Sequence, residues 1–220
     1  MIRSVPLLAS KAARNKGAYL KRQAEDEYCI RAREHSYRAR SAFKLMEMDD
    51  KLRVLTPGAT VVDIGAAPGS WTQVAVERVG EGGLVVAVDL QPMLPINGAT
   101  VIPNMDIRNT KCHNALSTAL EGKKVDVLLT DIAPSPTGDG ETDHIRIVSL
   151  CRLIFTLAIS SPSPFPLSPS GSFIAKIWDG VERRTLMDEV KNKFKTVRIM
   201  KPSASRDSSA EMYIICRGLK

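Results

Sequence analysis

The sequence predicts an α/β fold: a mainly parallel seven-stranded sheet, helices on both faces and an antiparallel C-terminal edge. Three observations carry this. Short β-branched apolar runs alternate with helix-like segments, as right-handed crossovers between parallel strands require. Several of those runs are apolar at consecutive positions, the pattern of strands covered on both faces. The last two runs are joined by a polar loop without a helix, which points to an antiparallel pair.

Taken in order, residues 25–55 are charged, periodic and free of Gly and Pro, and predict one helix stopped at Thr56-Pro57-Gly58. Ala59–Ile64 is the first strand. Ser70–Val79 reads as a helix closed by Gly80, Gly82 and Gly83, and Leu84–Asp89 as the second strand. Thr100–Ile102 is a weak third strand and Val125–Asp131 a fourth. His144–Ile159 is a helix, Gly171–Ile177 a fifth strand and Leu186–Phe194 a helix. Thr196–Met200 and Met212–Cys216 complete the set. The proline-rich segment 160–171 is expected to be an exposed, poorly ordered loop. Asp63, Asp89 and Asp131 all fall at carboxyl ends of strands, where open α/β sheets bind ligands, and Lys176 lies near the end of another.

The chain has 220 residues, 44% hydrophobic and 25% charged, enough to bury one core without metal or disulfide staples. No run of about 18 apolar residues occurs, so no membrane-spanning helix is expected. Cys29, Cys112, Cys151 and Cys216 are scattered. His35, His113 and His144 lack ligand spacing, so no metal is assigned and a reducing compartment fits. The net charge is +7, yet residues 1–24 hold six basic groups and no acid. That segment has the composition of a mitochondrial transit peptide, or of a basic RNA-binding arm, ahead of a domain at 25–220. Two further windows, 28–46 and 181–206, are locally basic and suited to phosphates, although solvated helix faces read the same way.

Asp63-Ile-Gly65-Ala-Ala-Pro-Gly69-Ser-Trp71 follows the first strand and opens a helix. It is neither Gly-x-Gly-x-x-Gly nor a Walker loop. A carboxylate beside the loop disfavours a pyrophosphate and suits a cofactor with a positive centre and a ribose, S-adenosylmethionine. Gly65 and Gly69 permit close backbone approach. Asp89 is spaced to accept from ribose hydroxyls, and Asp106 from the adenine amine. A plain tight turn with an acid at a strand end accounts for the same residues.

Six blocks then occur in order: Ser41–Leu45, Asp63–Trp71, Val88–Met93, Asp131–Pro134, Phe173–Lys176, and Lys201–Arg206 followed by Ser209–Tyr213. Together they resemble the FtsJ (RrmJ) family of RNA ribose 2′-O-methyltransferases, from about Tyr37 to Arg217. His144–Cys151 and Lys201–Arg206 are nearest to its mitochondrial members. The resemblance implies a Rossmann-like S-adenosylmethionine-dependent methyltransferase fold and a catalytic tetrad at Lys44, Asp131, Lys176 and Glu211. It also implies cofactor contacts at Pro68, Gly69, Ser70, Trp71, Asp89, Asp106, Ile107 and Asp131, beside the Gly65 that the loop itself suggests. The implied substrate is a uridine of mitochondrial large-subunit ribosomal RNA, naked or in an assembling particle, in the mitochondrial matrix. Transfer RNA, a messenger cap, a small molecule, or a non-catalytic assembly role are the alternatives. DNA is not expected, because only RNA carries a 2′-hydroxyl. Two departures stand out: Ser135 replaces the family's Asn, and segment 160–171 replaces a short Pro-Gly-Gly turn.

A ribose hydroxyl is a weak nucleophile and must be aimed along the sulfur–methyl axis, and its developing charge needs a cation or base nearby. Lys176 suits that place, either as a neutral base or as a charged stabiliser. Asp131 is expected to orient it, Glu211 to position Lys176 or the ribose, and Lys44 to meet the phosphate or ribose of the target nucleotide. Trp71 reads as packing beneath the cofactor loop.

Overall fold

The computed structural model describes residues 26–135, 137–206 and 209–220. The expected transit peptide or arm at 1–24 lies outside these. Two short helices, α1 (Glu27–Glu34) and α2 (Ala42–Leu52), precede β1 (Thr60–Ile64). Then come α3 (Ser70–Val79), β2 (Leu84–Val88), β3 (Ala99–Ile102), α4 (Thr110–Leu120), β4 (Val125–Thr130), α5 (Gly140–Ile159), β5 (Leu167–Trp178), α6 (Arg183–Lys193), β6 (Phe194–Met200) and β7 (Glu211–Leu219).

The sheet order is β3-β2-β1-β4-β5-β7-β6. The pairs from β3 through β5 are parallel, and β7 runs antiparallel between β5 and β6. The predicted mainly parallel sheet with an antiparallel C-terminal edge is what the chain forms. All five residues of β1 are buried, as a central parallel strand requires. One core packs β-strand residues against α4, α5 and α6, through side chains such as Leu116, Cys151 and Leu186. The other packs the opposite face against α2 and α3, through Leu45, Met48, Trp71 and Val74. No described helix is long and apolar enough to cross a membrane.

Three expectations need correction. The predicted helix over 25–55 is two helices. Ser36 takes a left-handed φ of 60°, and the amides of Tyr37 and Ser36 bond back to the carbonyls of Ala32 and Arg33. That is a Schellman stop built without glycine, so composition carries no sign of it. Helix α4 goes unread in the sequence, although Cys112, Leu116 and Leu120 repeat every four residues and all three are buried. The segment 160–171 is not a loose loop. Phe165 is fully buried, which contributes roughly 1.5–3 kcal/mol. The Val125 amide bonds to the Pro166 carbonyl at 2.8 Å, and Leu167 already pairs with Val125, so β5 starts four residues early.

Candidate active site

Strand parity assembles the site. Side chains two residues apart on a strand share a face. Val61, Leu129, Ile174, Tyr213 and Ile215 belong to the α2/α3 core. Asp63, Asp131, Lys176 and Glu211 are in step with them and therefore face the same side. The register puts Lys176 opposite Tyr213 and Trp178 opposite Glu211, while Thr130 pairs with Ala175, so Asp131 follows beside Lys176. Helix α2 lies on this face and brings Lys44.

The four tetrad residues meet as two ion pairs. Lys176 Nζ donates to the Asp131 backbone carbonyl at 2.6 Å and lies 3.2 Å from Asp131 Oδ1. Lys44 Nζ donates to Glu211 Oε1 at 2.5 Å. Tyr213 joins the pairs: its hydroxyl donates to Asp131 Oδ1 at 2.9 Å, and Lys44 Nζ stands 5.9 Å from its ring centre. Ser205 donates to Glu211 Oε1 at 2.9 Å. Burial pushes the Glu211 carboxyl up, but Lys44, Lys176 and the Ser205 hydroxyl outweigh it and hold the group below the ordinary range. Burial, with the Asp131 and Glu211 carboxylates beside it, drives the Tyr213 phenol well above its usual value, so it serves as a fixed donor. Sequence reasoning missed Tyr213 and Ser205. The two-residue step from Glu211 is the signal that could have found Tyr213.

A cleft of about 730 Å³ opens beyond the carboxyl ends of β1, β2 and β4. Among the expected cofactor residues, Gly65, Asp89, Asp106, Ile107 and Asp131 line it. The others, Pro68, Gly69, Ser70 and Trp71, do not. Gly65 has φ 77°, and a Cβ there would sit 2.7 Å from Ile132 Cγ1. Gly69, at φ 109°, would meet Ile96 Cδ1 at 2.6 Å. At Gly65 the turn passes too close to Ile132 for a side chain, and at Gly69 the left-handed φ is what favours glycine. Trp71 is 2% exposed, donates to the Ser41 carbonyl at 2.8 Å and packs on Tyr213, so it is core beneath the loop. Asp89 holds the rim: its Oδ2 accepts the Ala67 amide at 2.8 Å and its Oδ1 the Gln91 amide at 2.7 Å. Hydrogen bonds from the Arg108 side chain and amide lower the Asp106 carboxyl. Ile145, Arg146 and Ser149 of α5 form the wall that sequence reasoning did not foresee.

Asp63 is wholly buried below this loop rather than facing the cleft. Thr72 donates to its Oδ2 at 2.7 Å, while Oδ1 has no partner among the described residues. Burial, reinforced by Asp131 and Asp89 and opposed by Thr72, raises its pKa to about 7. The native state therefore keeps a proton that the unfolded chain releases near pH 4. Stability is fully present below that pH and is lost as pH rises towards 7, at up to ~1.4 kcal/mol per pH unit. Asp63→Asn should flatten this slope in denaturant titrations at pH 5 to 8. An unchanged slope would assign the titration to another group.

The basic window 28–46 is largely committed to the protein itself. Arg38 donates to the carbonyls of Pro68, Leu94 and Pro95 at 2.7–3.0 Å. Arg40 bonds Asp26 and the Ala204 carbonyl, and the Arg31 guanidinium lies 4.7 Å from the Phe43 ring centre. Arg38 thereby ties the Pro68–Gly69 turn to the loop after β2.

Comparison with known proteins places the chain in a family. The sequence profile of the FtsJ-like methyltransferases matches residues 37–219. The chain is 45% identical over 210 residues to rRNA methyltransferase 2, mitochondrial, of Caenorhabditis elegans, covering 96% of this chain and 97% of that protein. It is 40% identical to ribosomal RNA large subunit methyltransferase E of Granulibacter bethesdensis, over 92% of this chain and 84% of that one. A solved structure of a ribosomal RNA methyltransferase from Plasmodium falciparum superposes with a TM-score of 0.69 at 29% identity, covering 83% and 98% of the two chains. With a matching profile across nearly all the described residues and relatives alike over most of their length, the chain belongs to the FtsJ-like methyltransferase family.

Proposed function

We propose that the protein transfers a methyl group from S-adenosylmethionine to the ribose 2′-hydroxyl of a uridine in mitochondrial large-subunit ribosomal RNA, in the mitochondrial matrix. The observation that carries this is the meeting of Lys44, Asp131, Lys176 and Glu211 beside a cleft lined by Asp89, Asp106 and Asp131. Three carboxylates around a cleft suit a cationic donor carrying a ribose and an adenine. Asp89 would receive the ribose hydroxyls on its remaining lone pairs, Asp106 and Ile107 would border the adenine, and Asp131 would face the cationic end. When bound, S-adenosylmethionine supplies an electrophilic methyl group whose sulfur departs as a neutral thioether.

The chain's own residues supply aim and charge. Lys176 is 6% exposed and held from two directions by Asp131, so its amine cannot swing away. Two of its donor directions are taken, and a third is left for the ribose oxygen. During transfer Lys176 would donate to the oxygen as its negative charge develops, and the Asp131 carboxylate beside it would take the hydroxyl proton. Tyr213 fixes the Asp131 carboxylate, and Glu211 fixes Lys44 where it can meet the sugar–phosphate backbone.

The ribosomal target is supported by what the similar proteins are named for, and the matrix location by the nematode relative and the acid-free residues 1–24. Mapping 2′-O-methyl groups on mitochondrial ribosomal RNA, transfer RNA and messenger caps, with and without the protein, tests it. One uridine of the large-subunit RNA should lose its mark. A loss confined to transfer RNA or caps would move the substrate, and no loss anywhere would end the reading.

A further inference from the structure

A second group of cations lies along the same sheet face, away from the reaction centre. Helix α2 runs beside β7 in the same direction: Lys44 meets Glu211 at one end, and the Leu52 carbonyl accepts from Arg217 at 3.2 Å at the other. Six residues of β7 separate these points, about 20 Å at ~3.3 Å per residue. There a hollow of about 230 Å³ is lined by Lys51, Leu52, Thr196, Arg198, Ile215 and Arg217. Its lining contains three cations and no carboxylate. In the register of β6 and β7, Arg198 pairs with Ile215 and Thr196 with Arg217, so the two arginines are diagonal neighbours on one face. The Arg198 side chain makes no hydrogen bond or ion pair among the described residues. Arg217 uses one donor on Leu52, and Lys51 bonds Glu47 at 2.8 Å outside the hollow, on a carboxylate that also serves Ser203. Like charges set this close without an acid repel one another, and a bound anion relieves the repulsion.

We infer that Lys51, Arg198 and Arg217 form a phosphate seat that grips the RNA backbone several nucleotides from the methylated ribose. This rests on the RNA reading above and extends it. Tyr213 and Ile215 of β7 are buried under α2, so a strand leaving the tetrad reaches the hollow along the exposed edge strand β6, beside α2. The Thr196 hydroxyl and the two planar guanidinium forks supply the donors that phosphate oxygens accept. The seat adds affinity and register without touching the reacting atoms.

The test compares the wild-type chain with the double variants Arg198→Gln/Arg217→Gln and Arg198→Lys/Arg217→Lys, using a large-subunit ribosomal RNA fragment that carries the mapped uridine. Binding is measured by fluorescence anisotropy at several salt concentrations, alongside steady-state methylation, S-adenosylmethionine affinity and thermal melting. Loss of one phosphate contact should weaken RNA binding about three- to ten-fold and make the log–log salt slope shallower by ~0.7–0.9. KM for RNA should rise while kcat, cofactor affinity and melting temperature hold, and the lysine variant should retain most of the binding. A glutamine variant with the wild-type slope and affinity overturns the seat, as does a lysine variant as weak as the glutamine one. A wild-type chain that neither binds nor methylates the RNA overturns the underlying reading instead, and does so before any variant is compared.

Discussion

Lys176→Ala is expected to reduce methyl transfer by about 10²–10³-fold, the cost of deleting one preorganised group at a site of developing charge. Cofactor affinity should stay within a few-fold. The reason for the split is geometric. The Lys176 amine is held by the Asp131 carbonyl and carboxylate, whereas the cleft wall is made by Asp89, Asp106, Ile107 and Asp131. Removing the amine leaves that wall intact, and Tyr213 still holds the Asp131 carboxylate. Single-turnover transfer of a labelled methyl group, paired with a calorimetric titration of S-adenosylmethionine, reads both quantities. A variant that keeps more than a tenth of the rate, or loses affinity and rate together, would remove Lys176 from the centre of the reaction.

Asp131→Ala should be the more damaging change, because Asp131 is the one tetrad residue that also borders the cleft. It would leave the 6%-exposed Lys176 without its carboxylate and the buried Tyr213 hydroxyl with Glu211 as its remaining carboxylate partner. Breaking a buried pair from one side costs about 3–5 kcal/mol. The Asp131 backbone carbonyl still receives Lys176, which puts the loss near the lower end. Methyl transfer should fall by at least the Lys176→Ala factor, and the dissociation constant for the cofactor should rise about ten-fold or more. Asp131→Asn, which keeps the volume and an acceptor for Tyr213, should recover most of the melting temperature but little of the rate. If the asparagine variant recovered both, the negative charge of Asp131 would have no part in catalysis.

The parallel strands were legible because each is an apolar run too short for a helix, bounded by Gly or an acid. The tetrad was legible only through resemblance. Its members are 45 to 167 residues apart in their contacts, and no local pattern announces an ion pair of that separation. What composition could not convey was how backbone groups would be satisfied. Ser36 ends α1 in a conformation usually left to glycine. A segment rich in Ser and Pro looks solvated, yet Phe165 and Leu167 anchor it into the core at two positions. Arg38, by charge a phosphate ligand, is instead spent on three carbonyl oxygens. In each case tertiary partners override what the residue type prefers alone.

The position of β7 also governs when the centre comes into being. It is the seventh strand in chain order yet lies sixth across the sheet, wedged between two strands made before it. During synthesis β5 and β6 must therefore wait with unsatisfied edges, a state open to wrong pairing until the wedge arrives. Glu211 and Tyr213 ride on that same strand, so under the proposed function a nascent polypeptide holding only Lys44, Asp131 and Lys176 would lack the partner that fixes Lys44. Completion of the sheet and assembly of the proposed site are then one event, and a premature stop before residue 211 would leave β5 and β6 with open edges and the site incomplete.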